Sequence, residues 1–254
     1  MADRAAKIRL HVTAPLAEGA PVPLSPDQTR YLCGVMRLGP DDPVAAFNGR
    51  DGEWLCRLDP QGRKAAALHP QRRLRAQTRP RDLWLLAAPI RRARFETVAE
   101  KAAELGAARL IPVPTRFTRP ERPRPDRLRA LMTEAAEQCG GLWVPDLAEP
   151  TPLDALLDAW PADRRLMLCD ETRTAPPAPA ALAPFAAERA PWAVLIGPEG
   201  GFAPEELDRL RALPQAVPVS LGPRVLRADT AAIAALALWQ VALGDWPALA
   251  EDPA

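Results

Sequence analysis

From residue 82 to the C-terminus, short apolar runs alternate with amphipathic stretches, and this alternation restricts the fold more than any other feature of the chain. The runs at 82–88, 109–113, 165–169, 192–196 and 217–221 have the length and composition of buried strands. Between them, 92–105, 124–138, 204–213 and 230–243 carry helical spacing. Gly106, Gly140-Gly141 and Gly244 stand where three of these helices would end, since glycine accepts the left-handed conformation common there. Pro204 opens another, with Glu205 and Glu206 in a first turn whose dipole favours anions. Such an order predicts an α/β domain, a mainly parallel sheet covered by helices. The Ala/Pro-rich stretch 174–191 reads as a surface connection.

Residues 1–75 follow a different pattern. Apolar stretches at 8–12, 44–47, 54–58 and 65–68 are separated by turn signals, among them Gly39-Pro40-Asp41-Asp42. Asn48-Gly49 and Asp51-Gly52 lie between two strand candidates and suit a hairpin. One helix is expected over about 25–37, with Ser25 as cap and Pro26 in the first helical position. The stretch 71–81 looks like an exposed linker. The division expected is therefore a small β-rich domain over 1–75 and an α/β domain over 76–254.

No apolar run in the 254 residues approaches the roughly 20 that a membrane helix needs. The opening MADRAAKIRL lacks a signal-type apolar stretch. A soluble, cytoplasmic protein with no membrane partner is expected. Cys33, Cys56, Cys139 and Cys169 form no C-x-x-C pair, and His11 and His69 are far apart, so neither a metal site nor a disulfide framework is expected. The net charge of +1 hides an asymmetry. Residues 71–130 carry 16 Lys/Arg against 6 Asp/Glu, while 131–254 carry 8 against 18. A basic block beside an acidic half suggests a patch for a polyanion. Compositional bias explains why arginine outnumbers lysine, but not why the basic residues cluster.

Two segments carry the chemistry. Leu195-Ile196-Gly197-Pro198-Glu199-Gly200-Gly201-Phe202 follows a strand candidate and precedes a helix. Ligands in open α/β sheets bind at the carboxyl ends of strands, and glycines there let backbone come close to a ligand. The spacing is neither G-x-G-x-x-G nor a P-loop, which disfavours a nicotinamide-type Rossmann site. By itself the segment reads equally as a strand-to-helix turn or a nucleotide-cofactor loop. Leu221-Gly222-Pro223-Arg224-Val225-Leu226-Arg227-Ala228-Asp229-Thr230 also follows a strand and opens a helix. Asp229 or Thr230 suits a helix cap. Arg224, Arg227 and Asp229 equally suit a ligand site.

LIGPEGGF followed by LGPRVLRADTAA closely resembles the RsmE family, the 16S rRNA uridine N3-methyltransferases of the SPOUT superfamily. Upstream, the stretch from Lys101 to Gly106 looks like that family's K-x-x-E-L-G helix end. Glu134, Glu137 and Gln138 with Val144-Pro145 look like its E-x-x-E-Q and V-P segments. Arg9, Val35-Met36-Arg37-Leu38 and Phe47-Asn48-Gly49 match its N-terminal module. The resemblance spans nearly the whole chain. It implies a SPOUT domain with a deep trefoil knot, a PUA-like β-barrel at the N-terminus, a homodimer, and 16S rRNA or the 30S subunit as substrate.

The cofactor implied is S-adenosylmethionine, held by the loops around Leu168 and Cys169, by Ile196, Gly197, Pro198, Glu199, Gly200 and Gly201, and by Leu221, Gly222, Pro223, Leu226 and Thr230. Asp229 would be the base or orient it, with Arg224 and Arg227 on the uracil or a phosphate. Arg9, Arg37, Arg91, Arg92, Arg94 and Arg116 would contact the RNA backbone. Two positions depart from the family. Asp229 stands where it usually has Glu, and Gly141 where it usually has Arg. Other readings are a ribose 2′-O SPOUT methyltransferase and a non-catalytic assembly factor.

Overall fold

A computed structural model of the chain describes residues 6–62, 65–118, 123–170, 172 and 174–246. Its contacts divide into two units, one of residues 1–79 with 136–143, the other of 80–135 with 144–254.

In the first unit the strands are β1 (Ile8–His11), β2 (Val22–Pro23), β3 (Pro43–Phe47), β4 (Glu53–Pro60) and β5 (Ala66–Arg75). They form one sheet in the order β1-β3-β4-β5-β2, in which β1 runs parallel to β3 and the other pairs are antiparallel. Leu10, Val22, Leu32, Val44, Leu58 and Leu68 form its core. The helix expected over 25–37 starts as read. Ser25 Oγ accepts from the Gln28 amide (3.2 Å), and Gln28 Oε1 accepts from that of Ser25 (3.0 Å), a reciprocal cap for α1 (Pro26–Thr29). After one turn it widens into a π-helix over Arg30–Val35, and Arg37 just beyond has φ of 55°. The β3–β4 hairpin forms where expected, with Asn48 Oδ1 accepting from the amides of Arg50 and Asp51. Residues 71–75, expected to be linker, are instead strand. They pair with β4 through Arg72↔Leu55 and Arg73↔Trp54. Their arginines carry no alternating apolar signal, so the partner strand imposes this conformation rather than the local sequence.

The second unit runs β6 (Leu83–Ala87), α2 (Arg92–Glu104), β7 (Arg109–Pro112), α3 (Pro125–Cys139, whose end falls in the first unit), β8 (Asp146–Leu147), α4 (Leu153–Asp158), β9 (Arg165–Cys169), α5 (Ala178–Leu182), β10 (Trp192–Ile196), α6 (Pro204–Ala212), β11 (Ala216–Val219) and α7 (Ala228–Leu243). All six strands pair in parallel, in the order β11-β9-β10-β6-β7-β8. Side chains alternate between two buried layers. Trp192, Val194 and Ile196 of β10 enter the layer that holds residues of α2 and α7, while Ala193 and Leu195 enter the one with α4 and α6. Gly106, at φ +73°, ends α2, and the Gln240 amide donates to the Leu105 carbonyl beside it (2.7 Å). The stretch 174–191 is not a plain surface connection. Ala178 and Leu182 of α5 are fully buried, and Phe185 packs edge-on against Trp192. Two apolar anchors on a five-residue helix are too few to produce a readable period.

The strand order decides where ligands can bind. β11, β9 and β10 are neighbours, so their carboxyl ends lie side by side although the chain visits them far apart. On the other side of β10, the ends of β6 and β7 continue the same edge.

Candidate functional site

A cavity of about 320 Å³ opens at the carboxyl ends of β9, β10 and β11. Its walls come from three loops and the first turn of α7. Cys169 and Asp170 close one side. Ile196, Gly197, Pro198, Glu199, Gly200 and Gly201 form the second. Leu221, Gly222, Arg224, Val225 and Leu226 form the third, and Ala228 and Ala231 the floor on α7.

The glycines are explained by space and by torsion. A Cβ on Gly197 would stand 2.9 Å from the Phe202 ring, a core residue of the layer beneath. Gly201 and Gly222 have φ of +70° and +113°, and the second value is strained for any side chain. Glu206 fixes the exit of the second loop by accepting from the Ala203 amide (2.9 Å), and from the Arg116 amide (2.8 Å) on its other oxygen.

Asp170 is a buried acid on the wall. Burial alone would raise its pKa. The hydrogen bonds from Arg211 (2.6 Å) and the Thr172 amide (2.8 Å) outweigh that and hold the carboxyl below its usual range, so it is an anion with its charge matched. Burial pushes the Cys169 thiol up to about 12, which makes it a neutral wall rather than a nucleophile.

Most of the residues singled out in the two loops meet here, but not all. The side chain of Leu168 points to the opposite face of the sheet, in the layer of α4 and α6. Pro223 and Thr230 adjoin the cavity without lining it. Arg224 is an exposed part of the wall, whereas Arg227 lies outside it. The helix-capping role read for Asp229 or Thr230 is not found. α7 begins at Ala228 with Arg227 in the cap position, and no side chain bonds there. Asp229 Oδ1 is instead buried without a hydrogen-bond partner among the described residues. A buried, unsatisfied carboxylate oxygen is costly and marks a position where a ligand or substrate group can complete the bonding.

The arginines separate by role. Arg9 is consumed by structure. Its Nε donates to Glu53 (2.6 Å), Nη1 to the carbonyls of Ala136 (2.6 Å) and Glu137 (2.9 Å), and Nη2 to that of Gly141 (2.7 Å). Its guanidinium is thus taken up by the protein's own groups. Arg37, Arg91, Arg92 and Arg116 are exposed, and Arg94 is paired with Glu199 (3.1 Å). Sequence reading missed Arg211, which reaches Asp170 across 41 positions, and Phe117, half-exposed in a turn. Nothing local to either residue signals its place. Among the described residues, no group of three or more His, Cys, Asp and Glu is arranged to hold a metal, and all four cysteines are free thiols.

Comparison with known proteins bears on this geometry. Residues 77–240 match the family model of an RNA methyltransferase domain, and residues 24–69 that of an RNA methyltransferase PUA domain. A ribosomal RNA small subunit methyltransferase E from Rickettsia conorii is 28% identical over 90% of this chain and 93% of its own. One from Synechocystis sp. is 31% identical over 86% of this chain and 72% of its own. A Legionella pneumophila protein described as a methyltransferase, solved with bound SAM, superposes with a TM-score of 0.81 at 27% identity, covering 95% of this chain and 100% of that one. The three-loop cavity at the strand ends, the PUA match ahead of it and relatives of one kind matched over most of their length agree, and the chain belongs to the RNA methyltransferase family of ribosomal RNA small subunit methyltransferase E.

Proposed function

We propose that this chain methylates N3 of a uridine in 16S rRNA of the small ribosomal subunit, with S-adenosylmethionine as methyl donor. The observation that carries the reading is the set of three adjacent strand-end loops, two of them glycine-bearing, followed by a buried Asp229 oxygen that lacks a partner among the described residues. The names of the relatives supply the substrate class, and the Legionella protein solved with SAM supplies the cofactor. The uridine N3 position comes from the resemblance of LIGPEGGF and LGPRVLRADTAA to their family counterparts.

The residues fit the cofactor. Backbone at 196–201 and 221–226 would bound it, with Gly197 letting its loop pack down on the Phe202 ring, and Cys169 would add a neutral surface. Bound S-adenosylmethionine supplies a methyl group already activated by a sulfonium charge, so the transfer needs no metal. The protein's task lies with the acceptor. N3 of uracil is a poor nucleophile while it holds its proton. Asp229 accepts that proton or orients the group that does, and Arg224 and Arg227 offset the charge that develops on the uracil oxygens. The exposed arginines at 91, 92 and 116 hold the RNA backbone, so affinity falls steeply with salt.

We extend the proposal to a cytoplasmic homodimer and to a knotted chain. The knot follows from the family resemblance of the two glycine loops.

Deletion of the gene followed by mapping of modified nucleotides in small-subunit rRNA tests the assignment. The 3-methyluridine should disappear. Its persistence would overturn the reading, and loss of a ribose methyl instead would replace it with 2′-O transfer. A second expectation concerns the cofactor loop. Gly222→Ala forces a side chain into a backbone state that costs about 1–3 kcal/mol, so S-adenosylmethionine affinity should fall roughly tenfold in calorimetry. The melting temperature should fall as well, by about 2–4 °C per kcal/mol of that strain, because the folded backbone carries it even though nothing lies within 4 Å of the added methyl.

A further inference from the structure

A second pocket of about 400 Å³ lies on the other side of the 198–200 loop. Residues 89–91, which follow β6, and Phe117, which follows β7, make its remaining walls. The parallel order β10-β6-β7 places these loops on the same edge of the sheet as the cofactor cavity, and residues 198–200 line both spaces.

We propose that this second pocket receives an unstacked base of the substrate RNA next to the methylated one, with Phe117 as its stacking platform. The proposal rests on the methyltransferase reading above and goes beyond it by assigning a subsite.

Four observations support it. Phe117 is 50% exposed, unusual for an aromatic ring, and the turn that carries it is built rather than loose. Thr118 Oγ1 accepts from the Thr115 amide (2.8 Å), the Thr118 amide donates to the Thr115 carbonyl (3.1 Å), and Glu206 holds the Arg116 amide. The ring is therefore presented by a tethered loop. Second, Gly200 lets the ring's stem lie against the cofactor loop, since a Cβ there would come within 3.3 Å of Phe117 Cβ. Third, the charges suit a nucleotide. Arg91 lines the pocket and Arg116 neighbours it, both exposed, while the carboxylate of Glu199 on the shared wall is paired with Arg94 and so repels a phosphate less. Fourth, the catalytic candidates lie on the β11 side of the cofactor cavity, so the target base belongs there. A neighbouring nucleotide then falls across the 198–200 loop. RNA-binding proteins read single-stranded segments by splaying bases onto aromatic faces in this way.

The test is a cycle of protein and RNA changes. Methylation of a small-subunit RNA fragment is measured for wild type, Phe117→Ala and Phe117→Trp, each with intact RNA and with RNA made abasic at either neighbour of the target uridine. Phe117→Ala should raise KM for RNA by about tenfold to a hundredfold with kcat little changed. Phe117→Trp should restore it. One abasic position should weaken wild type by a similar factor and weaken Phe117→Ala no further. Equal losses from abasic RNA in wild type and Phe117→Ala would overturn the subsite, as would an unchanged KM. A change in S-adenosylmethionine affinity or in sedimentation on Phe117→Ala would also overturn it, by showing a structural or subunit contact. Wild type that methylates no RNA would remove the methyltransferase reading and the subsite together, whereas active wild type with an indifferent Phe117 removes the subsite alone.

Discussion

Asp229→Asn is expected to lower the rate of methyl transfer by about a hundredfold to ten-thousandfold, the range typical of a lost general base. The substitution preserves shape and removes only the ability to take a proton. Two features keep the effect specific. Asp229 caps no helix, since α7 starts at Ala228 without a side-chain bond at its end, so no capping energy is lost. Its Oδ1 has no partner among the described residues, so no hydrogen bond to it is broken in the free protein. Affinity for S-adenosylmethionine should stay within about twofold, a change of well under 1 kcal/mol. Single-turnover methylation and calorimetry on the same protein check both halves. A rate equal to wild type would end the proton-acceptor role. Asp229→Glu, which restores the residue usual in the family, should retain activity, because it moves the carboxylate by one methylene without removing it.

Glu53→Ala should destabilise the first unit by about 3–5 kcal/mol, as expected when one partner of a buried ion pair is deleted. The Glu53 carboxylate is bound on both oxygens, by Arg9 (2.6 Å) and by Arg75 (2.8 Å). Arg9 is itself mostly buried and also binds three backbone carbonyls at 136, 137 and 141. Without Glu53 its mostly buried guanidinium loses the carboxylate it is bonded to. The His11 amide donates to Glu137 in the same junction, which ties β1 to that segment a second time (2.8 Å).

The pH dependence follows from the direction of the shift. Burial of Glu53 would raise its pKa, but the hydrogen bonds from Arg75 and Arg9 prevail and hold it below the usual value near 4.5. A carboxyl depressed in the folded state stabilises above its unfolded pKa and loses that contribution as pH falls through the folded value. Urea unfolding at pH 7 should therefore separate wild type from Glu53→Gln clearly. The gap should narrow once pH drops below about 4. A constant gap down to pH 3 would contradict the ion pair as its source.

Much of the fold was legible because it follows from local period. The strand and helix candidates of the second unit are found close to where the alternation put them, because parallel strands buried on both faces read as uniform apolar runs. The short elements β2, β8 and α4 had no candidate in the sequence, and three further features were hidden for different reasons. The end of β5 is written in arginines and becomes strand only by pairing with β4. α5 is too short to show a period. The π-helix after α1 begins as an ordinary capped helix, and its widening depends on packing.

In the site, the two glycine loops could be recognised because space and torsion demand glycine at Gly197, Gly201 and Gly222. The fate of individual side chains could not. Leu168 faces the opposite layer because side chains alternate along β9. Arg9, one of many arginines by sequence, is taken up by Glu53 and three carbonyls from a distant segment.

The glycine loops after β10 and β11, the parallel α/β pattern and the family resemblance are properties of the sequence alone, because each depends on neighbouring residues or on spacing along the chain. The tertiary structure decided which loops meet and which charges remain available. It set Asp170 against Arg211, left Asp229 Oδ1 without a partner among the described residues, placed Phe117 beside the 198–200 loop and tied Arg9 to Glu53 and three carbonyls. The physical reason is strand order. A parallel sheet that runs β11-β9-β10-β6-β7 gathers carboxyl ends that the chain visits far apart, and no local pattern encodes which strands become neighbours.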